Sequence, residues 1–197
     1  MNPVLSLCLT YCVHDYHLLD RLLKRLMLQT VAPSEIIIVS SGIREQDIIS
    51  HPQLVINGYP VPVTMVNSPQ LMNAAAARNL GAATAKGDIV QFFDGDDLPH
   101  PQRTEVTLKC FEHSGCDALF HAWSPAVQVL EYEVEFDSSR LYKCVWADHD
   151  QMIAPGASHP IAVGPIALRQ SVREQVSYRT HLMRREDAQF AREIIES

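Results

Sequence analysis

The chain has 197 residues, 47% of them hydrophobic and 20% charged, which is ordinary globular composition and enough length for one domain with a full core. Its formal net charge is −7, which excludes the broad basic surface that a phosphate backbone requires, so no nucleic-acid partner is expected. No run reaches the roughly 18 uninterrupted apolar residues of a transmembrane segment.

The opening "MNPVLSLCLTYCV" has neither a basic n-region nor a small-residue cleavage site, so residues 4–11 read as a buried strand and not as a signal peptide. In "DYHLLDRLLKRLMLQT", Leu18, Leu19, Leu22, Leu23 and Leu26 recur at three- and four-residue steps and predict an amphipathic helix, with Asp15 as N-cap and Pro33 as its stop. "EIIIVSSG" is a continuously apolar, β-branched run, as expected of a strand covered on both faces. "VPVTMV" is a third strand, "NAAAARNLGAATAKG" an Ala-rich helix with Gly87 as C-cap, and "DIVQFF" a fourth strand. In the second half, "PQRTEVTLKCFEHS" predicts a helix with Pro101 in its first turn. "DALFHAW", "VQVLEYEVEF" and "HPIAVGPIAL" read as strands, and "REDAQFAREIIES" as a final helix.

Alternating strands and helices imply right-handed crossovers and a mostly parallel sheet flanked by helices, with a smaller antiparallel element in the C-terminal half. No repeat or linker divides residues 1–197, so one domain is expected. Ligands of such sheets bind at the C-terminal ends of the strands. Three polar clusters fall there: Thr10-Tyr11-Cys12, Ser40-Ser41-Gly42 and the acidic "FFDGDD". Five cysteines, an odd count with no Cys-x-x-Cys pair, suit a reducing compartment, and the expected location is cytoplasmic.

The acidic cluster admits several readings. A solvated turn is one. An EF-hand fails, because Leu98 and Pro99 stand at the fifth and sixth loop positions. A phosphohydrolase of the haloacid-dehalogenase kind also places Asp-x-Asp after an apolar strand. A nucleotide-sugar site needs carboxylates that a divalent cation can bridge to a diphosphate, and hard oxygen ligands suit Mn²⁺ or Mg²⁺.

"AAARNLGAATAKGDIVQFFDGDD", with its Arg-Asn, Ala-x-Gly-Asp and Asp-x-Asp-Asp, resembles the core signature of the family 2 glycosyltransferases of the GT-A fold. "LTYCVHDYHLLDRLLKRLMLQTVAPSEIIIVSSG" is similar to the family's opening strand-helix-strand, Gln29-Thr30 included, and "REDAQFAREI" to its later Glu-Asp segment. The resemblance covers most of residues 4–110 and resumes near 160–195. It implies a nucleotide-sugar-binding half over residues 1–100 and an acceptor-binding half over 101–197. By position, Thr10, Tyr11 and Ser40 would meet the donor's nucleoside. Arg78 would reach the nucleotide, and Asp94 the ribose or diphosphate. Asp96 and Asp97 would hold the metal, and Asp187 would be the general base of an inverting transfer to a carbohydrate or other hydroxyl acceptor. His159 and Glu186 are candidates for acceptor or metal contact. Departures are Cys12, where the family commonly has Asn, and Ser40-Ser41, where it commonly has an Asp pair. A nucleotide-sugar-binding module without catalysis is the further alternative. Cys110, His113 and Cys116 straddle a helix end without zinc spacing, and Trp123 and Trp146 are read as core residues.

Overall fold

A computed structural model of the chain describes residues 3–12, 16–43, 58–122, 135–141, 143, 145–147, 151–153, 161–182 and 184–196. The strands are β1 (Leu5–Cys12), β2 (Glu35–Ser41), β3 (Val63–Ser68), β4 (Ile89–Asp94), β5 (Ala118–Ala122), β6 (Val145–Ala147), β7 (Gln151–Ile153) and β8 (Ile161–Arg169). The helices are α1 (Tyr16–Leu26), α2 (Ala74–Thr84), α3 (Arg103–Ser114), the single turn α4 (Gln170–Arg173) and α5 (Glu186–Glu196). No described helix is long and apolar enough to cross a membrane.

Six strands form one sheet in the order β3-β2-β1-β4-β8-β5, and β6 and β7 form a separate antiparallel pair. The first four strands are mutually parallel, while β8 lies antiparallel to both β4 and β5. One sheet therefore draws strands from both halves of the chain. Both its faces are covered. Leu5, Leu7, Leu9, Ile36, Ile38 and Phe93 pack with Leu19, Leu22, Leu23 and Leu26 of α1 and Phe111 of α3. Cys8, Ile37, Val39, Val90 and Phe92 pack with Ala75, Ala77 and Ala82 of α2 and with Phe190 of α5. Continuous apolar runs in β2 and β4 follow from this double coverage.

Several local expectations are corrected. α1 ends seven residues before Pro33. Its last turn tightens, with the Leu28 and Gln29 N–H groups donating to the Arg25 and Leu26 carbonyls at 3.1 and 3.2 Å. Gln29 then leaves the helix to cap another: its Nε2 donates to the His100 carbonyl at 2.8 Å and its Oε1 accepts the Thr104 N–H at 2.9 Å. Pro101 precedes α3, whose own N-cap, Gln102, makes no side-chain cap bond. β3 starts at Val63, beyond Pro62, which has no N–H to donate.

Gly87 is not the C-cap of α2, which is Ala85. Its N–H donates to Ser6 Oγ at 2.9 Å, and a Cβ there would lie 2.6 Å from that oxygen, so glycine permits close approach to β1. Gly81, inside α2, works similarly, since a Cβ would fall 2.0 Å from Cys8 Sγ. β8 runs through Gly164 and Pro165, absorbing them in a register shift against β5 between Phe120 and His121. Asp15 and nearly all of the expected strand "VQVLEYEVEF" lie outside the described residues.

Candidate active site

The strand order reverses direction between β1 and β4, the switch point at which open α/β sheets bind ligands. Thr10 and Asp94 are register partners there, and the Thr10 hydroxyl donates to Asp94 Oδ1 at 3.2 Å. The chain then turns sharply. The Asp97 N–H donates to the Asp94 carbonyl at 3.0 Å, and the Asp94 N–H donates to Asp97 Oδ2 at 2.9 Å. A Cβ on Gly95 would lie 3.1 Å from Tyr11 Cβ, so the turn can press against β1 only with glycine there or a small shift. Asp96 is exposed at the apex, and its carbonyl accepts from Arg21 Nη2 at 3.3 Å.

Arg78, on α2, is 4% exposed beneath this turn. Its Nη2 donates to both oxygens of Asp94, at 2.9 and 2.8 Å, and its Nη1 to Glu186 Oε1 at 3.2 Å. Its guanidinium lies 5.2 Å from the centre of the Tyr178 ring, which stacks on Phe190 at 3.8 Å. Burial works against the charge, but Asp94, Tyr178 and Glu186 outweigh it and raise the pKa above the ordinary value. Glu186 and Asp187 open α5 after Arg185, which is held at φ 60°. Asp187 Oδ1 accepts the Ala188 N–H at 2.8 Å. Burial pushes Asp97 up to about 6, aided by Asp94 and Asp96 and opposed by its bond from the Asp94 N–H and by Arg103.

The structure thus brings Thr10, Arg78, Asp94, Asp96, Asp97 and Glu186 together around one turn. Asp187 follows Glu186 directly on α5. The Tyr11 side chain is buried in the core, and burial raises its pKa. Ser40 is buried beside it, its hydroxyl donating to Asn67 Oδ1 at 2.5 Å. His159 and Trp123 lie outside the described residues, as does the Trp146 side chain. Cys110 is buried, and His113 is exposed with its ring edge against Phe136. Arg21, Asn67 and Tyr178 were not anticipated. Arg21 stands off the leucine stripe of its helix, and Tyr178 follows no periodic pattern, so neither carried a local signal.

Among the described residues, no group of three or more His, Cys, Asp or Glu side chains is arranged to hold a metal ion. The donors at the turn nonetheless fit a hard divalent cation. Asp96 is exposed, and its carboxylate makes no hydrogen bond among the described residues. Mg²⁺-like ions commonly take one or two carboxylates and complete their shell with water and substrate phosphates.

A family model described as glycosyl transferase family 2 matches residues 8–170. The chain belongs to that family. One relative, an uncharacterized glycosyltransferase of Haemophilus influenzae, is 34% identical over 93 residues, 47% of this chain and 30% of that protein. Among solved structures, S. aureus TarS 1-349 in complex with UDP-GlcNAc superposes with a TM-score of 0.70 at 14% identity, over 98% of this chain and 53% of that one. The mannosyltransferase PcManGT of Pyrobaculum calidifontis, in complex with GDP-Man and Mn²⁺, gives 0.67 at 17%, over 98% and 52%. These likenesses establish the fold, a mixed GT-A sheet flanked by helices. The chain spans under a third of the curated relative's length and about half of each solved chain.

Proposed function

We propose that this chain transfers a sugar from a nucleoside-diphosphate sugar to an acceptor hydroxyl, with inversion and with a divalent cation. One observation carries the reading. In a family 2 chain, Thr10, Asp94, Arg78 and Glu186 form an unbroken line of contacts at the sheet's switch point. Structural neighbours hold UDP, UDP-GlcNAc and GDP-Man, the last with Mn²⁺.

On this reading residues 1–100 hold the donor and 101–197 the acceptor. Thr10, Tyr11 and Ser40 lie along the nucleoside side, and Asp94, its carboxylate held from behind by Arg78, faces the ribose and diphosphate. Asp96, supported by Asp97, would hold Mn²⁺ or Mg²⁺, which when bound neutralises charge on the departing diphosphate. Asp187 takes the proton of the acceptor hydroxyl as its oxygen bonds to the anomeric carbon and the carbon–oxygen bond to the diphosphate breaks. The haloacid-dehalogenase alternative is disfavoured, because both oxygens of Asp94, its nucleophile, are occupied by Arg78.

Calorimetry with UDP, GDP, CMP and dTDP, each with Mn²⁺ or with EDTA, tests the donor half. A diphosphate is expected to bind at least tenfold more tightly with Mn²⁺, and Asp96→Ala to abolish most of that difference. Affinity indifferent to metal removes the cation from the reading. Hydrolysis of simple phosphate monoesters by the purified protein restores the phosphohydrolase.

A further inference from the structure

Arg78 stands where a donor contact is expected, yet its guanidinium is committed inward. It is 4% exposed and joins a carboxylate on β4 to a carboxylate on α5, 108 residues further along the chain than Arg78 itself. The same helix grips the segment leading to α5 at two more points. Asn73 Nδ2 donates to the Thr180 carbonyl at 2.6 Å. Asn79 clasps the Tyr178 backbone from both sides, donating to its carbonyl at 2.8 Å and accepting its N–H at 2.9 Å. The Tyr178 ring then lies between Arg78 and Phe190 of α5. One face of α2 thus contacts the donor-side acid, the approach to α5 and the first residue of α5.

Resting on the glycosyltransfer reading, we infer that Arg78 is a positioning residue. It fixes the Glu186-Asp187 end of α5 relative to Asp94, so the acceptor-side base is held in register with the donor. The argument is one of geometry and charge. A guanidinium presents separate N–H donors in a rigid plane, which lets it hold two carboxylates at a set spacing, as the point charge of a lysine does not. Glu186, 16% exposed in its side chain, has Arg78 as its ion-pair partner among the described residues. With Arg78 gone, a largely buried carboxylate is left unpaired at the helix start, and the arrangement that keeps α5 docked there is lost. Asp187 moves with Glu186, being its neighbour in the chain.

The test uses the full chain and three substitutions. In Arg78→Met, amide hydrogen exchange over 186–196 in ligand-free protein is expected to quicken at least tenfold, while β1 and β2 keep their protection. Arg78→Lys, which restores the charge but not the two-pronged geometry, is expected to fall between. Calorimetric affinity for UDP or GDP with Mn²⁺ is expected to stay within threefold of wild type. Unchanged exchange over α5 overturns the inference. So does a nucleotide affinity lowered more than tenfold, which makes Arg78 a donor contact instead. If Arg78→Met does not fold, Glu186→Met, which leaves Arg78 and Asp94 in place, must quicken α5 exchange, and unchanged exchange there is equally decisive. Wild-type protein that binds neither nucleotide defeats the glycosyltransfer reading, while the exchange comparison still decides the positioning role.

Discussion

Asp187 and Glu186 are adjacent in the chain but differently engaged: among the described residues Glu186 is paired with Arg78, whereas Asp187 accepts the neighbouring Ala188 N–H alone. That difference supports the proposal of Asp187 as the base. Asp187→Asn keeps the shape and removes the proton acceptor, so turnover is expected to fall by roughly 10²–10⁴ with nucleotide affinity unchanged. Glu186→Gln is expected to cost less, since a glutamine oxygen still accepts from Arg78. Steady-state kinetics with UDP-GlcNAc and GDP-mannose check both, and the opposite ranking reassigns the base. His121 offers a separate measurement. Burial, aided by the positive Arg103, holds its pKa well below the ordinary 6.5. The folded state therefore keeps His121 neutral while the unfolded chain binds a proton, so stability present above about pH 6.5 is lost as pH falls. His121→Leu is expected to flatten that acid loss by up to one proton, about 1.4 kcal/mol per pH unit. Urea unfolding at pH 7.5, 6 and 5 reads the slope, and an unchanged slope shows that His121 is not its source.

At the scale of elements, the helix after the acidic turn takes its start from elsewhere. Gln29 supplies the cap bond to the Thr104 N–H, and Thr30 adds a bond from its hydroxyl to Glu105 at 2.7 Å. Gln29→Ala removes two hydrogen bonds and is expected to cost about 1–2 kcal/mol, with Tm lower by roughly 3–7 °C. A thermal melt checks it, and a shift below 1 °C means the cap is replaced by solvent. Gln29-Thr30 was legible in the sequence only as a resemblance. Its physical reason, a bond to a loop 71 residues away, is tertiary. Gly87 and Pro101 were legible as punctuation, yet their jobs were misassigned. A local rule offers glycine as a left-handed cap, whereas close packing on Ser6 decides its use here.

For the whole molecule, the sheet decides which parts stand alone. β4 pairs with β1 on one edge and with β8 on the other, and Phe92 meets the Tyr178 ring edge-on at 5.6 Å. A fragment of residues 1–100 would expose the outer edge of β4 and the parts of the sheet's two faces that Phe111 of α3 and Phe190 of α5 cover. It is expected not to fold cooperatively, whereas the full chain melts in a single transition. Far-UV circular dichroism of the two checks this, and a sharp melt of the fragment would make residues 1–100 a domain of their own.

The sequence by itself determined most of the described elements and their kind, though not β6, β7 or the single turn α4. Periods of two and 3.6 residues, and runs apolar throughout, report which faces are covered, and coverage is a local requirement on each strand or helix. It also placed Thr10, Ser40 and Asp94 at strand ends, because parallel order puts those ends on one side of the sheet. Only the tertiary structure decided that β8 returns antiparallel between β4 and β5, since no local pattern encodes a partner so distant in the chain. It alone showed that Arg78 faces inward to Asp94 and Glu186, 16 and 108 residues away. An arginine on an alanine-rich helix carries no sign of its partners. They are set by which elements the core brings against it, and that is fixed when the sheet closes and α5 docks.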